Sequence, residues 1–425
     1  MKFLKSASLL LLISAMHLQA QTDGLSEQVT SLKANVKEVQ TEGDTYKQQI
    51  ESPGLGVIKY TVDEVDSKGR ITNYSYEFNL ADLDPYAVRQ ETDGDLLLVS
   101  MTVANKQSLV KLTEDGENVG FDDEVELRAT DIENARQLID IIKKAIPLAK
   151  EAVENKLNLN GYAQMRDWLA ANIKDVRVDE TTYQQNLKPG EYPGSIVYVR
   201  TEAEGGDAEE MKYHFNIGDI NHNSLRFEIS GDEIGVTFKT MAEQDLIRVF
   251  ENNEPDGFTD EVMIMTSNVE SARDLRTVLG LAIPEAKKLT TNDLPSLNDT
   301  EAALASMAKF VSEVNYGDMQ MIQEVAPECV TTFRITEQQE DDSEMMEYKL
   351  NLMDLNANNL KYEVSRGKMH FKLRTMDKIK LIKEYENGVF QGYTDEFNIY
   401  AEDMEVARRL RHALAKAIAL CKKKL

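Results

Sequence analysis

The sequence predicts an α+β protein of three tandem repeats, each an N-terminal helix, an antiparallel sheet of about six strands and a C-terminal helix. Three observations carry this. An anchor, Tyr-x-[Phe/Leu]-Asn-[Leu/Ile]-x-Asp-[Leu/Ile], begins at Tyr76, Tyr213 and Tyr348. A second anchor, Gly-aromatic-x-Asp-Glu, begins at Gly120, Gly257 and Gly392, so 120 − 76, 257 − 213 and 392 − 348 are each 44. A helix follows in step at Ala135-Arg136, Ala272-Arg273 and Ala407-Arg408. Self-similarity held in register across three anchors marks a repeated structural unit.

A chain of 425 residues suits two to four domains. Lys2 and Lys5, the apolar run Leu9–Ile13 and a small residue at Ala20 read as a secretory signal peptide over residues 1–20. The repeats are then expected at 25–156, 157–292 and 293–425. No other stretch is long and apolar enough to span a bilayer, so no membrane insertion is expected after processing. The expected location is the periplasm or the cell exterior. Net charge is −26, which argues against nucleic acid and anionic lipid, since both require a basic patch. Lys422–Lys424 reads instead as cations complementing a helix C-terminus.

Each repeat is expected to open with a helix, near 25–39, 160–176 and 298–314. The third begins with Asn298 and Glu301 in the spacing of a capping box. Alternation at Ile58–Val62 and Ile196–Arg200 predicts a strand. The Tyr anchor is a second strand, with Tyr76, Phe78 and Leu80 on one face, and Asp82 is read as capping the turn that ends it. The apolar columns Val99/Val236/Phe371 and Met101/Phe238/Leu373 are assigned to two further strands. Asp115-Gly116, Asn252-Asn253 and Asn387-Gly388 suit a hairpin turn with positive φ. The closing helices start at Asp131, Asn268 and Asp403, residues suited to capping, with Glu133, Glu270 and Glu405 in the first turn. Their apolar residues recur at i, i+3, i+4 and i+7, for example Ala135, Leu138, Ile142 and Ala145. Pro147 and Pro284 are expected to kink these helices or end them early.

A meandering sheet closed by an Ala/Leu-rich helix entered through Asp-x-Glu-x-Ala resembles a pleckstrin-homology-like module. The chain as a whole is similar to exported bacterial repeat proteins of unknown function. The resemblance implies binding of headgroups, peptides or protein partners rather than catalysis.

The chemistry-bearing residues are sparse. Asp123-Glu124, Asp260-Glu261 and Asp395-Glu396 recur and could serve as calcium ligands or catalytic carboxylates. They lack the spacing of an EF-hand and read as a solvated strand edge. His214, His222, His370 and His412 neither recur nor take a metal-ligand spacing. Trp168 and the anchor tyrosines could stack on a sugar, although core packing accounts for the tyrosines more simply. Cys329 and Cys421 are the only cysteines. Export places them where disulfides persist, and they read either as a bond or as two separate buried thiols. No catalytic residue, cofactor or metal is assigned. The expected function is a non-enzymatic binding or scaffold protein whose three modules take a protein, peptide or glycan partner. The alternative is a hydrolase or carbohydrate-active protein with its site between repeats.

Overall fold

The computed structural model describes residues 24–339 and 342–423. The segment expected to be a signal peptide, with His17, lies outside them, as does Lys424. Two compact units form. One ends at Leu159 and includes Ile229–Glu233; the other is Asn160–Glu228 together with the chain from Ile234 onward. The second and third repeats therefore share most of one unit.

The first repeat sets the pattern. A helix, α1 (24–35), leads into β1 (Val39–Gln40), β2 (Thr45–Glu51), β3 (Val57–Val65) and β4 (Ile71–Asn79). There follow β5 (Arg89–Asp93), β6 (Leu96–Thr102), β7 (Val110–Glu114), β8 (Glu117–Asp122), β9 (Glu124–Ala129) and α2 (Ile132–Lys156). All pairings are antiparallel, and the strands form two sheets rather than one meander. Six lie in the order β1-β2-β3-β4-β7-β8 and three in the order β5-β6-β9. The chain thus leaves the first sheet after β4, returns for β7–β8, and leaves again before the helix. The same six-plus-three arrangement recurs between α3 (Gly161–Asn172) and α4 (Val269–Asn292), and again between α5 (Thr300–Phe310) and α6 (Met404–Lys422).

The six strands expected per repeat correspond to the larger sheet in number, not in identity. Val99 and Met101 sit two apart on β6, so the two columns belong to one strand. The short opening strands were taken for helix ends: α1 stops at 35, and α3 and α5 stop at Asn172 and Phe310. Val39, Val176 and Val314 are buried at the start of the sheets instead.

Two local expectations need correction. The cap of the anchor turn is the Asn, not the Asp. Asn79, Asn216 and Asn351 each accept the amide two residues on and start a 3-10 turn, while Asp82, Asp219 and Asp354 lie inside that turn. The α5 cap is Asp299, which accepts the Ala302 amide, so Asn298 and Glu301 form no capping box.

The prolines end neither helix. α2 and α4 continue to Lys156 and Asn292. Pro147 and Pro284 are exposed, with Ile146, Ala149, Ala152 and Val153 buried around the first and Ile283 and Ala286 around the second. Packing on both sides of each proline offsets the lost hydrogen bond.

Asp131, Asn268 and Asp403 cap the closing helices through the amides of Asn134, Ser271 and Val406. The apolar stripe then packs on the sheets, with Leu138, Ile142, Leu279, Leu410 and Leu414 fully buried. Each such side chain contributes about 1.5–3 kcal/mol on burial. Cys329 and Cys421 are joined by a disulfide with Cα atoms 5.7 Å apart, which ties the chain just before Val330–Gln339 to the end of α6.

Candidate functional site

Three glutamines hold the larger sheet of each repeat to its smaller one. The Gln48 amide donates to the Lys37 and Arg128 carbonyls, and its Oε1 accepts the Arg128 amide at 2.9 Å. Gln185 does the same with Lys174 and Met265, and Gln323 with Ser312 and Tyr400. These groups meet obligatory backbone hydrogen-bonding needs where the two sheets converge. In the first two repeats a buried tyrosine also uses the glutamine: Tyr60 donates to Gln48 at 2.6 Å and Tyr198 to Gln185 at 2.5 Å. Phe333 takes that place in the third.

Beside this clamp the two sheets splay apart. In the first repeat Arg128 occupies the opening, its guanidinium donating to Tyr60 Oη at 3.3 Å and lying 5.5 Å from the Tyr46 ring centre. In the second, Arg200 lies 6.0 Å from the Tyr183 ring. In the third repeat the corresponding residues are Tyr400 and Ile335, and a recess of about 300 Å³ remains. Tyr348 and Phe397 stack at its floor with centroids 4.4 Å apart. Glu337, Glu344, Glu396 and Lys372 line it. Burial, with Glu384 adding to it, pushes the Tyr348 hydroxyl up to about 12, so it keeps its proton.

The recurring Asp-Glu pairs tie strands together. Glu124 accepts from Ser100 and lies 3.6 Å from Arg89. Glu261 pairs with Arg226 at 3.0 Å, and Glu396 with Arg374 Nε at 2.6 Å. The carbonyls of Asp123, Asp260 and Asp395 accept the amides of Val103, Thr240 and Thr375. Glu396 also lines the recess of the third repeat. The anchor tyrosines are half-buried: Tyr76 stacks on Tyr60 and Tyr213 on Tyr198.

A second polar cluster lies where the second repeat meets the third. Arg408 of α6 grips both oxygens of Asp219, at 2.8 and 2.6 Å. Asn216 donates to Glu405 at 2.6 Å. Arg409 bonds Glu405 at 2.7 Å, pairs with Asp293 and lies 3.6 Å from the Tyr192 ring. Arg248, 4% exposed at its side chain, pairs with Glu402 and donates to the Glu402 and Asn315 carbonyls. A recess of about 260 Å³ beside these residues is lined by Tyr192, His214, Glu402 and Asp403. Burial, helped by Arg248 and Lys212, pushes His214 down to about 4, so it is neutral at pH 7. Burial raises the Asp219 carboxyl, and Arg408 opposes that. Each of these carboxylates already has a cation or a donor, Asp403 serving as the α6 cap. Groups committed in this way orient neighbours and are poorly placed to move protons.

The remaining candidates stay apart. His222 lies in a 3-10 turn, His370 is buried 6.1 Å from Tyr400, and His412 meets the Pro295 carbonyl at 2.9 Å. Among the described residues no group of three or more His, Cys, Asp or Glu could hold a metal ion. Trp168 lines a recess of about 110 Å³ with Ile173, Met265 and Leu275, in the second repeat. Among the described residues no helix is long and apolar enough to cross a membrane.

The glutamine clamp and the Glu405/Arg408 grip were missed from sequence, although both leave a trace there. Glu133/Arg136, Glu270/Arg273 and Glu405/Arg408 keep the repeat spacing, whereas Gln48 and Gln185 keep it and Gln323 lies three residues nearer its anchor. No protein family, curated protein or solved structure matches the chain.

Proposed function

We propose that the chain is a non-enzymatic binding or scaffold protein, exported to the periplasm or cell exterior. In this reading each repeat, with its opening and closing helix, is a pleckstrin-homology-like interaction module. One observation carries it: the open mouth of the third repeat, where an aromatic floor is rimmed by Glu337, Glu344 and Glu396 against one Lys372. Aromatic faces and carboxylates together attract a cationic side chain. The partner that suits this mouth is a protein or peptide segment bearing lysine or arginine, and the acidic chain would draw it in. The test is titration of the mature protein with a basic pentapeptide, an acidic pentapeptide and a neutral oligosaccharide. The basic peptide should bind, and Glu337→Lys with Glu344→Lys should weaken it at least ~10-fold. Preference for the sugar, or indifference to the two substitutions, would overturn the reading.

The recess beside His214 and Glu402 favours the second reading, a carbohydrate-active or hydrolytic site between repeats. Turnover of a polysaccharide by the mature protein, lost in Glu402→Gln with the fold retained, would establish it in place of the first.

A further inference from the structure

The joint between the second and third repeats is made by residues that every repeat carries. The Asn and Asp of the second repeat's anchor, Asn216 and Asp219, are held by Glu405 and Arg408 in the first turns of the third repeat's closing helix. The sequence supplies three copies of each half. Asn79/Asp82, Asn216/Asp219 and Asn351/Asp354 form one series; Glu133/Arg136, Glu270/Arg273 and Glu405/Arg408 form the other.

Among the described residues the third repeat's anchor and the first repeat's closing helix each present one half without its counterpart. Asp354 has no ion pair among the described residues. Among the described residues Glu133 and Arg136 pair only with each other, at 2.6 Å, with side chains 75% and 66% exposed. Around Asp354's end the surface is also unfinished. In the second repeat, Phe258 on the edge strand Glu254–Thr259 packs against the third repeat's core. A Cβ at Gly257 would lie 3.4 Å from the Gly367 backbone, so that edge closely approaches a hairpin of the third repeat. The corresponding edge strand of the third repeat, Val389–Thr394, ends its sheet. There Val389, Phe390 and Tyr393 are 63%, 49% and 51% exposed. Tyr393 stands where Phe258 does, Lys383 where Arg248 does, and Gly392 where Gly257 does.

We propose that these ends meet between chains: the third repeat of one molecule docks head to tail on the first repeat of a second copy of this chain. Asn351 and Asp354 would be held by Glu133 and Arg136, as Asn216 and Asp219 are held by Glu405 and Arg408. The occupant is a second copy because the half-buried Asn351 and Asp354 at one end and the exposed Glu133 and Arg136 at the other repeat the residue types and signs of the Asn216/Asp219 and Glu405/Arg408 joint. They also continue an interface the chain already builds. Such a contact joins unlike surfaces, so it generates rings or filaments rather than a twofold dimer. It is independent of what the third repeat's mouth binds.

Sedimentation velocity of the mature protein over a concentration series tests this. The wild type should associate with concentration. Asp354→Arg and Arg136→Asp should each weaken association on the order of 100-fold, with circular dichroism unchanged. Mixing the two variants pairs Arg at 354 with Asp at 136 and Asp354 with Arg136, so the mixture should recover association, with the two variants alternating. A wild type that stays monomeric at every concentration would overturn the proposal. So would association that neither variant weakens, or a mixture that fails to recover association; the last two outcomes point to a different surface or partner.

Discussion

Asp219 and Asp354 hold the same place in two repeats and meet different neighbours. Asp219 is gripped by Arg408, whereas Asp354 has no ion pair among the described residues. The same contrast runs through the residues nearby. Gly194, beside the second anchor, has a φ of +84°, and a Cβ there would lie 2.6 Å from Asn216 Oδ1 and 2.8 Å from Thr290 Oγ1. The third repeat places Cys329 at that point, bonded to Cys421. The anchor of the second repeat is thus secured by a neighbouring repeat, and the chain beside the third anchor by a covalent tie within its own repeat.

The largest expected effect concerns that tie. Opening a loop with a sequence separation of 92 should cost about 4 kcal/mol by the chain-entropy relation. Reduction, or Cys329→Ser with Cys421→Ser, should lower the denaturant midpoint accordingly, and an unchanged midpoint would mean the bond fastens nothing. Next comes Arg248→Ala, which leaves Glu402 and two carbonyls without their donor. It should cost about 3 kcal/mol, while Lys383→Ala at the free end should cost no more than ~0.5 kcal/mol. Equal losses would erase the distinction between joint and end.

A smaller effect should appear in every repeat. Gln48→Ala, Gln185→Ala and Gln323→Ala each strand backbone groups where the sheets converge, at about 2 kcal/mol, and the first two also strand the Tyr60 and Tyr198 hydroxyls, so Gln323→Ala should cost least. No loss in any one repeat would show that the clamp is not a shared element.

The smallest is a pH effect. Burial holds folded His214 near 4, below its ordinary 6.5. As pH falls from 6.5 towards 4 the unfolded chain takes up this proton first, so stability falls across that window and is flat above it. Asp219 and Asp403, raised by burial, act in the opposite sense. The readout is therefore the difference between wild type and His214→Gln, which should grow as pH falls. A difference independent of pH would place His214 in ordinary solvent.

Much of the architecture was legible because it follows local chemistry. The turn residues Asp115-Gly116, Asn252-Asn253 and Asn387-Gly388 all adopt positive φ. The closing-helix caps follow from Asp and Asn placed before an apolar stripe. What escaped notice depends on long-range contact. β1 has two residues and carries no alternation to detect. The division into two sheets depends on which strands pair, and β5–β6 pair with β9 across intervening sequence. Strand parity puts Asn79 on the face opposite Tyr76, Phe78 and Leu80, yet it is buried like Phe78 and Leu80 and caps the next turn. Glu405 and Arg408 read as ordinary helix-surface charges until the second repeat is placed against them. Of the candidate residues, the sequence singled out Glu396 and Tyr348 but not the recess they share. That space exists because Ile335 and Tyr400 stand where arginine fills the other repeats.

The most direct test of the joint is a double-mutant cycle on Asp219→Asn and Arg408→Gln, read by denaturant unfolding of the monomeric protein. If the anchor and helix residues fasten neighbouring repeats, the pair should show a coupling of about 2 kcal/mol. Additive effects, with coupling within ~0.3 kcal/mol of zero, would contradict the account.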